Sequence, residues 1–193
     1  MTAEKLKASD TVSSGLTCNQ KAGEAAQATG RFEIKCHDKD GNLKWEAQSK
    51  NLVVNVGLAY MAGTALTSVT QETLWYLGLY GTGASNTPAA GDTMSSHAGW
   101  TEVVAYSNSF RVAATFVTAT TANPSVVTNS ASQAQFYINA TTIVGGAFLT
   151  TGSAKGGSTG ILFSAADFGA PGNDRSVING DILYVTYTFS LAG

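Results

Sequence analysis

Charged side chains are scarce in this sequence, and most of them lie in its first quarter. They make up 12% of the chain, about half the usual share of a globular protein. Residues 1–50 hold eight Lys and Arg and seven Asp and Glu, whereas residues 51–193 hold nine charged residues in all. The surface of this second part must therefore consist of Ser, Thr, Asn, Gly and Ala. Such a surface favours contacts with copies of the chain or with a partner, although a merely Ser- and Thr-rich β protein would have the same composition.

Other shortages exclude whole classes of protein. The two cysteines, Cys18 and Cys36, are too few for a disulfide framework and indicate free thiols in a reducing cytosol. The first residues, Met-Thr-Ala-Glu-Lys, lack the apolar core of a signal peptide. The longest apolar run, residues 52–66, is interrupted by Asn55 and is too short to span a bilayer. A net charge of −2 offers no basic face to a nucleic acid. We therefore expect synthesis in the cytoplasm and neither a membrane nor a nucleic-acid partner.

The first thirty residues contain little that could enter a core, because their few apolar side chains stand among Lys, Ser, Thr and Gln. Such a segment does not order by itself. It is either a tail without fixed structure or an extended N-terminal arm that orders on a neighbouring subunit. As an arm it would use small apolar anchors and lysines at the rim of the contact. The candidate partner-binding residues are Lys5, Leu6, Lys7, Val12, Leu16 and Lys21.

Residues 31–193 are predicted to form one β-sandwich domain. Residues 31–38 alternate polar and apolar side chains, and an Asp-Gly turn leads into a return strand. Leu58 and Met61 follow helical spacing, which predicts one short helix over residues 53–66, capped by Asn51 and buried against a sheet. Many short strands, long loops and one helix indicate a mainly β fold, an antiparallel, jelly-roll-like β-sandwich. The later strands are predicted over residues 73–80, 101–106, 110–118, 133–140, 142–150, 160–164 and 182–191.

The three tryptophans, Trp45, Trp75 and Trp100, are predicted structural core residues, because aromatic residues in strands usually pack inside. A platform that stacks on sugars is the alternative. Asp92 is predicted to cap a short helical turn over residues 93–98, after which Trp100 enters the core.

Residue types that catalyse hydrolysis lie together in Asp92, Ser95, Ser96 and His97. A catalytic triad needs separate rigid supports for its members, and no Gly-x-Ser-x-Gly elbow occurs. No Cys and His spacing resembles a zinc site. The glycine-rich residues 152–160 lack the order of a phosphate-binding loop and are predicted to form a flexible hairpin loop. We therefore expect no catalytic residue, no metal and no cofactor.

The order of several segments resembles that of virion structural proteins of tailed bacteriophages. The resemblance covers residues 31–190, and its most specific part is GDTMSSHAGWTE at residues 91–102. It does not cover the arm. The segments are DGNLKW (40–45), NLVVNVGL (51–58), LWYLGLY (74–80), AAGDTMSSHAGWTE (89–102), AYS (105–107) followed by Arg111, GGAFL (145–149) and RSVINGD (175–181).

This resemblance implies a capsid decoration, or cement, protein without enzymatic activity. Its partners would be the major capsid protein and copies of itself, as a homo-oligomer (a dimer or trimer) on the outer surface of the virion head. The family brings no catalytic residues to carry over. Two alternatives stay open: a tail or fibre component that binds a host-surface glycan, and a hydrolase that uses Asp92 and His97.

Overall fold

The computed structural model describes residues 27–81, 87–168 and 174–193, which form antiparallel sheets and one α-helix. The mainly β fold class predicted from the sequence is confirmed. The helices are α1 (Asn55–Leu66) and a 3₁₀ turn (Ser130–Ser132). The strands are β1 (Gln27–His37), β2 (Leu43–Lys50), β3 (Leu52–Val53), β4 (Tyr76–Gly81), β5 (Thr101–Val103), β6 (Val112–Ala113), β7 (Ser125–Thr128), β8 (Ala134–Tyr137), β9 (Thr142–Val144), β10 (Gly146–Thr150), β11 (Leu162–Asp167), β12 (Arg175–Val177) and β13 (Ile182–Ala192).

Most strands belong to two sheets that enclose the main hydrophobic core. The first sheet has the order β2-β1-β13-β7, and β8 also pairs with β13. The second sheet has the order β3-β11-β10-β4-β5, and β6 also pairs with β4. β9 and β12 form a separate pair. Every predicted strand overlaps an observed one, but β3, β7 and β12 were missed, and the prediction over residues 142–150 combined β9 with β10.

β1 and β13 form the centre of the first sheet. They pair over their full length, from Gln27 opposite Ala192 to His37 opposite Ile182. Alternate side chains of both strands point into the core, as the sequence pattern predicts. The predicted boundary between arm and body at residue 30 is wrong, because residues 27–30 already pair with β13.

A buried asparagine joins β7 to β8 along β13. The 3₁₀ turn separates these two short strands, so the backbone pairing is interrupted between them. The side chain of Asn129 fills the gap: its Nδ2 donates to the Val185 carbonyl (3.2 Å), and its Oδ1 accepts from the Tyr187 amide (2.7 Å). One amide side chain thus satisfies backbone groups of β13 that would otherwise be buried without partners.

The second sheet is buried on both faces. Leu77, Leu79 and Leu149 point towards the first sheet and belong to the main core. Tyr80 and Phe148 point the other way and belong to a second hydrophobic cluster. A strand buried on both faces has a continuous apolar sequence, which explains the LGLYG and GAFLT sequences of β4 and β10.

Two glycines on the outer face of this sheet make room for aromatic rings on the neighbouring strand. Gly78 lies opposite Phe148, and Gly146 lies opposite Tyr80. A Cβ at Gly78 would stand 2.1 Å from a ring carbon of Phe148, and one at Gly146 would stand 2.0 Å from a ring carbon of Tyr80. Each ring therefore packs directly over the backbone of the adjacent strand.

α1 is less buried than the sequence predicted. Gly57 is its one buried residue, and a Cβ there would lie 2.3 Å from the Phe163 carbonyl oxygen. The predicted cap is wrong, because α1 begins after Val54 without a side-chain cap. Asn51 instead donates from Nδ2 to the Tyr187 hydroxyl (2.9 Å). Neither α1 nor any other helix of the described residues is long and apolar enough to cross a membrane.

Candidate functional site

The segment from β4 to Arg111 forms an outer layer over the second sheet. After β4 the chain passes through residues 82–86, which lie outside the described residues. It then crosses the outer face as an irregular stretch before β5 pairs with β4. The Ala90 carbonyl accepts a hydrogen bond from the Asn55 amide (2.8 Å), which ties this layer to the start of α1. The most specific part of the sequence resemblance therefore lies outside the space between the sheets.

Trp100 is the centre of this layer and is 3% exposed. Its ring centroid lies 5.1 Å from those of both Tyr80 and Phe148. The His97 ring stacks on the Trp100 ring, with 3.8 Å between the centroids and 16° between the planes. Trp100 is thus a buried core residue, but its core is the second cluster and not the space between the two sheets.

The Asp92 carboxylate holds the Trp100 indole in place. Its Oδ2 accepts from the indole Nε1 (3.0 Å) and from the Ala89 amide (3.0 Å). The predicted helical turn over residues 93–98 and its Asp92 cap are wrong, because Thr93 and Ser96 form an antiparallel β-bridge instead. The carboxylate that would have capped a helix is already bonded to the indole.

The side chains of the hydrolase hypothesis make contacts within the segment around Trp100. Ser95 Oγ lies 3.2 Å from Thr93 Oγ1, and His97 Nδ1 lies 3.0 Å from the Trp100 carbonyl oxygen. Hydrogen bonds within the described part of the chain connect His97 to neither serine nor Asp92. A nucleophile and base within hydrogen-bond reach, the first requirement of this chemistry, are therefore not brought together there.

Buried phenols near this layer are held neutral. Burial raises the pKa of Tyr80, and the nearby charges of Asp167, Asp174 and Asp92 raise it further. Burial is also the main cause of the raised pKa of Tyr106. Neither phenol is poised to exchange a proton near neutral pH.

A buried ion pair lies at the end of the segment. The Arg111 side chain is 0% exposed and that of Glu102 is 8% exposed. Their contact is bidentate: Nε lies 2.9 Å from Oε1 and Nη2 lies 2.7 Å from Oε2. Arg111 also donates to the carbonyls of Gly152 (2.8 Å) and Gly157 (2.7 Å), and Glu102 accepts from the Gly156 amide (2.8 Å). We call these two side chains the clamp.

The clamp fixes the glycine-rich loop between β10 and β11. Lys155 adds a further contact, because its Nζ donates to the Tyr106 carbonyl (2.8 Å) and lies 4.4 Å from the centre of the Tyr106 ring. The sequence correctly predicted a hairpin loop over residues 152–160, and the clamp and Lys155 give this loop side-chain contacts that the sequence did not predict. The Lys155 ammonium group is thus engaged by Tyr106.

Trp75 and Trp45 lie at the edges of the main core and are only half-buried. Trp45 belongs to the edge strand β2, opposite Cys36 on β1. Trp75 packs edge-on against Tyr60 (5.6 Å) and Phe163 (5.4 Å). It also lines an apolar cleft of about 260 Å³ between the sheets. The cleft is formed by Gln71, Trp75, Phe116, Val127, Leu149, Phe163, Tyr187 and Phe189.

The predicted partner-binding residues of the arm lie outside the described residues. These are Lys5, Leu6, Lys7, Val12, Leu16 and Lys21.

The thiol of Cys36 is free and buried, and burial is the main cause that raises its pKa to about 12. Within residues 27–81, 87–168 and 174–193, no group of three or more His, Cys, Asp and Glu side chains could hold a metal ion.

Comparisons with known proteins do not identify this arrangement. A scan against protein-family models, a search of curated proteins and a search of solved structures each gave no significant match.

Proposed function

We propose that this chain is a virion structural protein of a tailed bacteriophage, and specifically a capsid decoration protein on the outer surface of the head. Its partners would be the major capsid protein and copies of itself. It would stabilise the shell by adhesion and would catalyse no reaction. The sequence resemblance suggests this role, and the nature of the exposed surface is the observation that carries it.

The described surface combines few charges with many exposed large apolar side chains. Such residues are normal when scattered singly, but contiguous apolar patches mark interaction sites. Several of those on this protein cluster around α1 and the segment that follows it. The exposed large apolar residues are Leu43, Leu52, Leu58, Leu66, Val69, Leu74, Val104, Phe110, Val117, Tyr137, Ile143, Ile178 and Leu191.

Weak adhesion suffices for this role, because each contact is repeated over a closed shell. A copy that is bound through one contact makes a second contact at a high effective concentration, and this raises its overall affinity for the shell. The N-terminal arm could supply the second point. The 26 residues before β1 would span at most about 90 Å when fully extended, which is enough to reach a neighbouring lattice position.

The apolar cleft at Trp75 is the one feature that bears on the glycan-binding alternative. Binding sites for small polar ligands place several hydrogen-bonding groups around an apolar surface. The lining side chains that can form hydrogen bonds are the Gln71 amide, the Trp75 indole and the Tyr187 hydroxyl, and the others are apolar. That hydroxyl already contacts Asn51 and Ser164. The lining therefore favours an apolar side chain over a sugar.

Co-sedimentation with undecorated heads tests the proposal. We expect the full-length protein to saturate heads at hundreds of copies per particle. A variant that lacks residues 1–26 should remain folded but occupy heads much more weakly at limiting concentration. A variant that starts at Gly30 is a less suitable comparison, because it also removes residues of β1 that pair with β13. Absence of the full-length protein from pelleted heads, or a handful of copies per virion located in the tail, would contradict a role in decoration.

A further inference from the structure

Helix α1 lies on the surface although it has the composition of a buried helix. Its sequence, NVGLAYMAGTAL, contains no charged residue. A helix that is apolar on all sides is normally buried on all sides. Here the side that carries Gly57, Tyr60 and Met61 faces the protein: Gly57 rests on β11, Tyr60 contacts Trp75, and Met61 packs against the main core. The opposite side has no partner among the described residues.

Between Leu58 and Leu66 the exposed residues of α1 are all apolar. Leu66 is 86% exposed and Leu58 is 45% exposed, and the alanines between them are also exposed. Just beyond the helix, Val69 and Leu74 are 47% and 63% exposed. We define the α1 face as the exposed helical residues Leu58, Ala59, Ala62, Ala65 and Leu66.

The residue types of the α1 face are arranged symmetrically in the sequence about Ala62. Alanines stand three residues before and after Ala62, and leucines stand four residues before and after it. A contact made by the same patch on two subunits around a two-fold axis must be self-complementary. When two such helices pack antiparallel with Ala62 on the axis, each leucine meets the small side chains of the partner. Alanine at the centre allows the helices to approach closely.

We propose that the α1 face is a contact between two copies of this chain, packed antiparallel about a two-fold axis at Ala62. We infer that the partner is a second copy, because an uncharged face is best covered by another uncharged face. The α1 face of a second copy is such a surface. A charged partner would leave its ionic groups desolvated and unpaired. The proposal extends the proposed function, because it gives the copies on the shell a surface with which to contact each other.

The size of the α1 face sets the strength of this contact. A helix of 12 residues is about 18 Å long and about 10 Å wide, which gives a footprint of about 180 Å². A standard stable interface buries about 800 Å² on each partner. Even with Val69 and Leu74 included, the pair is therefore a weak dimer in solution. Repetition over a lattice makes such a contact effective.

Substitutions of opposite charge test the symmetry. In analytical ultracentrifugation, the protein should show a concentration-dependent monomer–dimer equilibrium. Leu58→Lys and Leu66→Glu should each weaken dimerisation by about tenfold or more. The double variant Leu58→Lys/Leu66→Glu should recover much of the affinity, because the antiparallel arrangement brings the two new charges together across the axis. Ile178→Lys is the matched control, since Ile178 is 50% exposed on another part of the protein. All variants should melt at nearly the wild-type temperature.

Disulfide trapping tests the axis itself. In a Cys18→Ser background, Ala62→Cys should oxidise to a covalent dimer, because close helices place residues on the axis within disulfide range. Ser158→Cys, an exposed position on the glycine-rich loop, should form much less dimer under the same conditions. The dimer should persist when residues 1–26 are removed.

Several results would overturn the proposal. These are a monomer at all concentrations up to about millimolar, a dimer insensitive to both single substitutions, no recovery in the double variant, or no covalent dimer of Ala62→Cys. Loss of the dimer on removal of residues 1–26 would instead identify the arm as the occupant of the face. These measurements use no heads, so their failure is distinct from failure of the decoration role.

Discussion

Breaking the clamp should destabilise the protein strongly, because it leaves one buried charge without its partner. Glu102→Gln keeps the shape of the side chain but leaves the Arg111 guanidinium buried without its counter-charge. Removing one partner of a buried ion pair typically costs about 3–5 kcal/mol. The two glycine carbonyls that also accept from Arg111 should keep the loss near the lower end. Arg111→Met should cost more, because it leaves a buried carboxylate with the Gly156 amide as its remaining partner.

A double-mutant cycle separates the interaction energy of Glu102 with Arg111 from the other contributions to the loss of stability. Glu102→Gln/Arg111→Met removes both charges, so it should be less destabilising than the sum of the single losses by about 2–3 kcal/mol. Some loss should remain, because the loop carbonyls lose their donors in both Arg111 variants. The free energies of unfolding are measured by urea denaturation with two-state analysis.

The exposed ion pair between Arg31 and Glu33 provides the control. Its side chains are 51% and 37% exposed, so Glu33→Gln should change stability by no more than about 1 kcal/mol. Hydrogen exchange should also become faster in residues 152–160 of the clamp variants and remain unchanged in the control. A loss below about 1 kcal/mol for Glu102→Gln, or additive effects in the double variant, would refute the view that the clamp holds this loop.

Three further predictions address packing and reactivity. Trp100→Ala should lower the free energy of unfolding by about 3–5 kcal/mol, whereas His97→Ala should cost far less, because His97 is only partly buried; equal losses in urea denaturation would contradict this. Gly78→Ala should cost about 1–3 kcal/mol or more, because its Cβ would stand 2.1 Å from a neighbouring ring, whereas Gly91→Ala meets nothing within 4 Å and should be neutral. The Cys36 thiol, with its pKa raised by burial to about 12, should react with maleimide at pH 8 only after denaturation; rapid labelling of Cys36 in the native protein would exclude this burial.

The sequence predicts the first sheet better than the second because only one face of the first sheet is buried. β1 and β13 alternate regularly, so their inward side chains follow from the pattern, although β1 begins at Gln27, four residues before the predicted start. β4 and β10 are buried on both faces, and their apolar runs contain no signal that separates one face from the other. The second cluster around Trp100 was therefore not predicted, although the burial of Trp100 was.

The clamp was missed for a different reason. Glu102 and Arg111 are nine residues apart, and nothing in that spacing requires their side chains to meet. The sequence nevertheless contains a useful signal. Charged residues are rare in this region, which indicates that those present are paired inside the protein and not merely exposed to solvent. Asn129 left no such signal, because its two backbone partners come from β13, more than fifty residues later in the chain.

The central position of β13 also governs when the protein can fold during synthesis. β13 joins β1 on one side to β7 and β8 on the other, so the first sheet is incomplete until residues 182–192 have been made. While they are still inside the ribosome, β1 and β2 can form only a two-stranded hairpin, which is marginally stable in water. Until then the inner edge of β1 stays unpaired, and such edges promote aggregation. The sandwich can therefore be completed only after β13 has left the ribosome, and a nascent chain that stops before β13 is a substrate for chaperones and proteases.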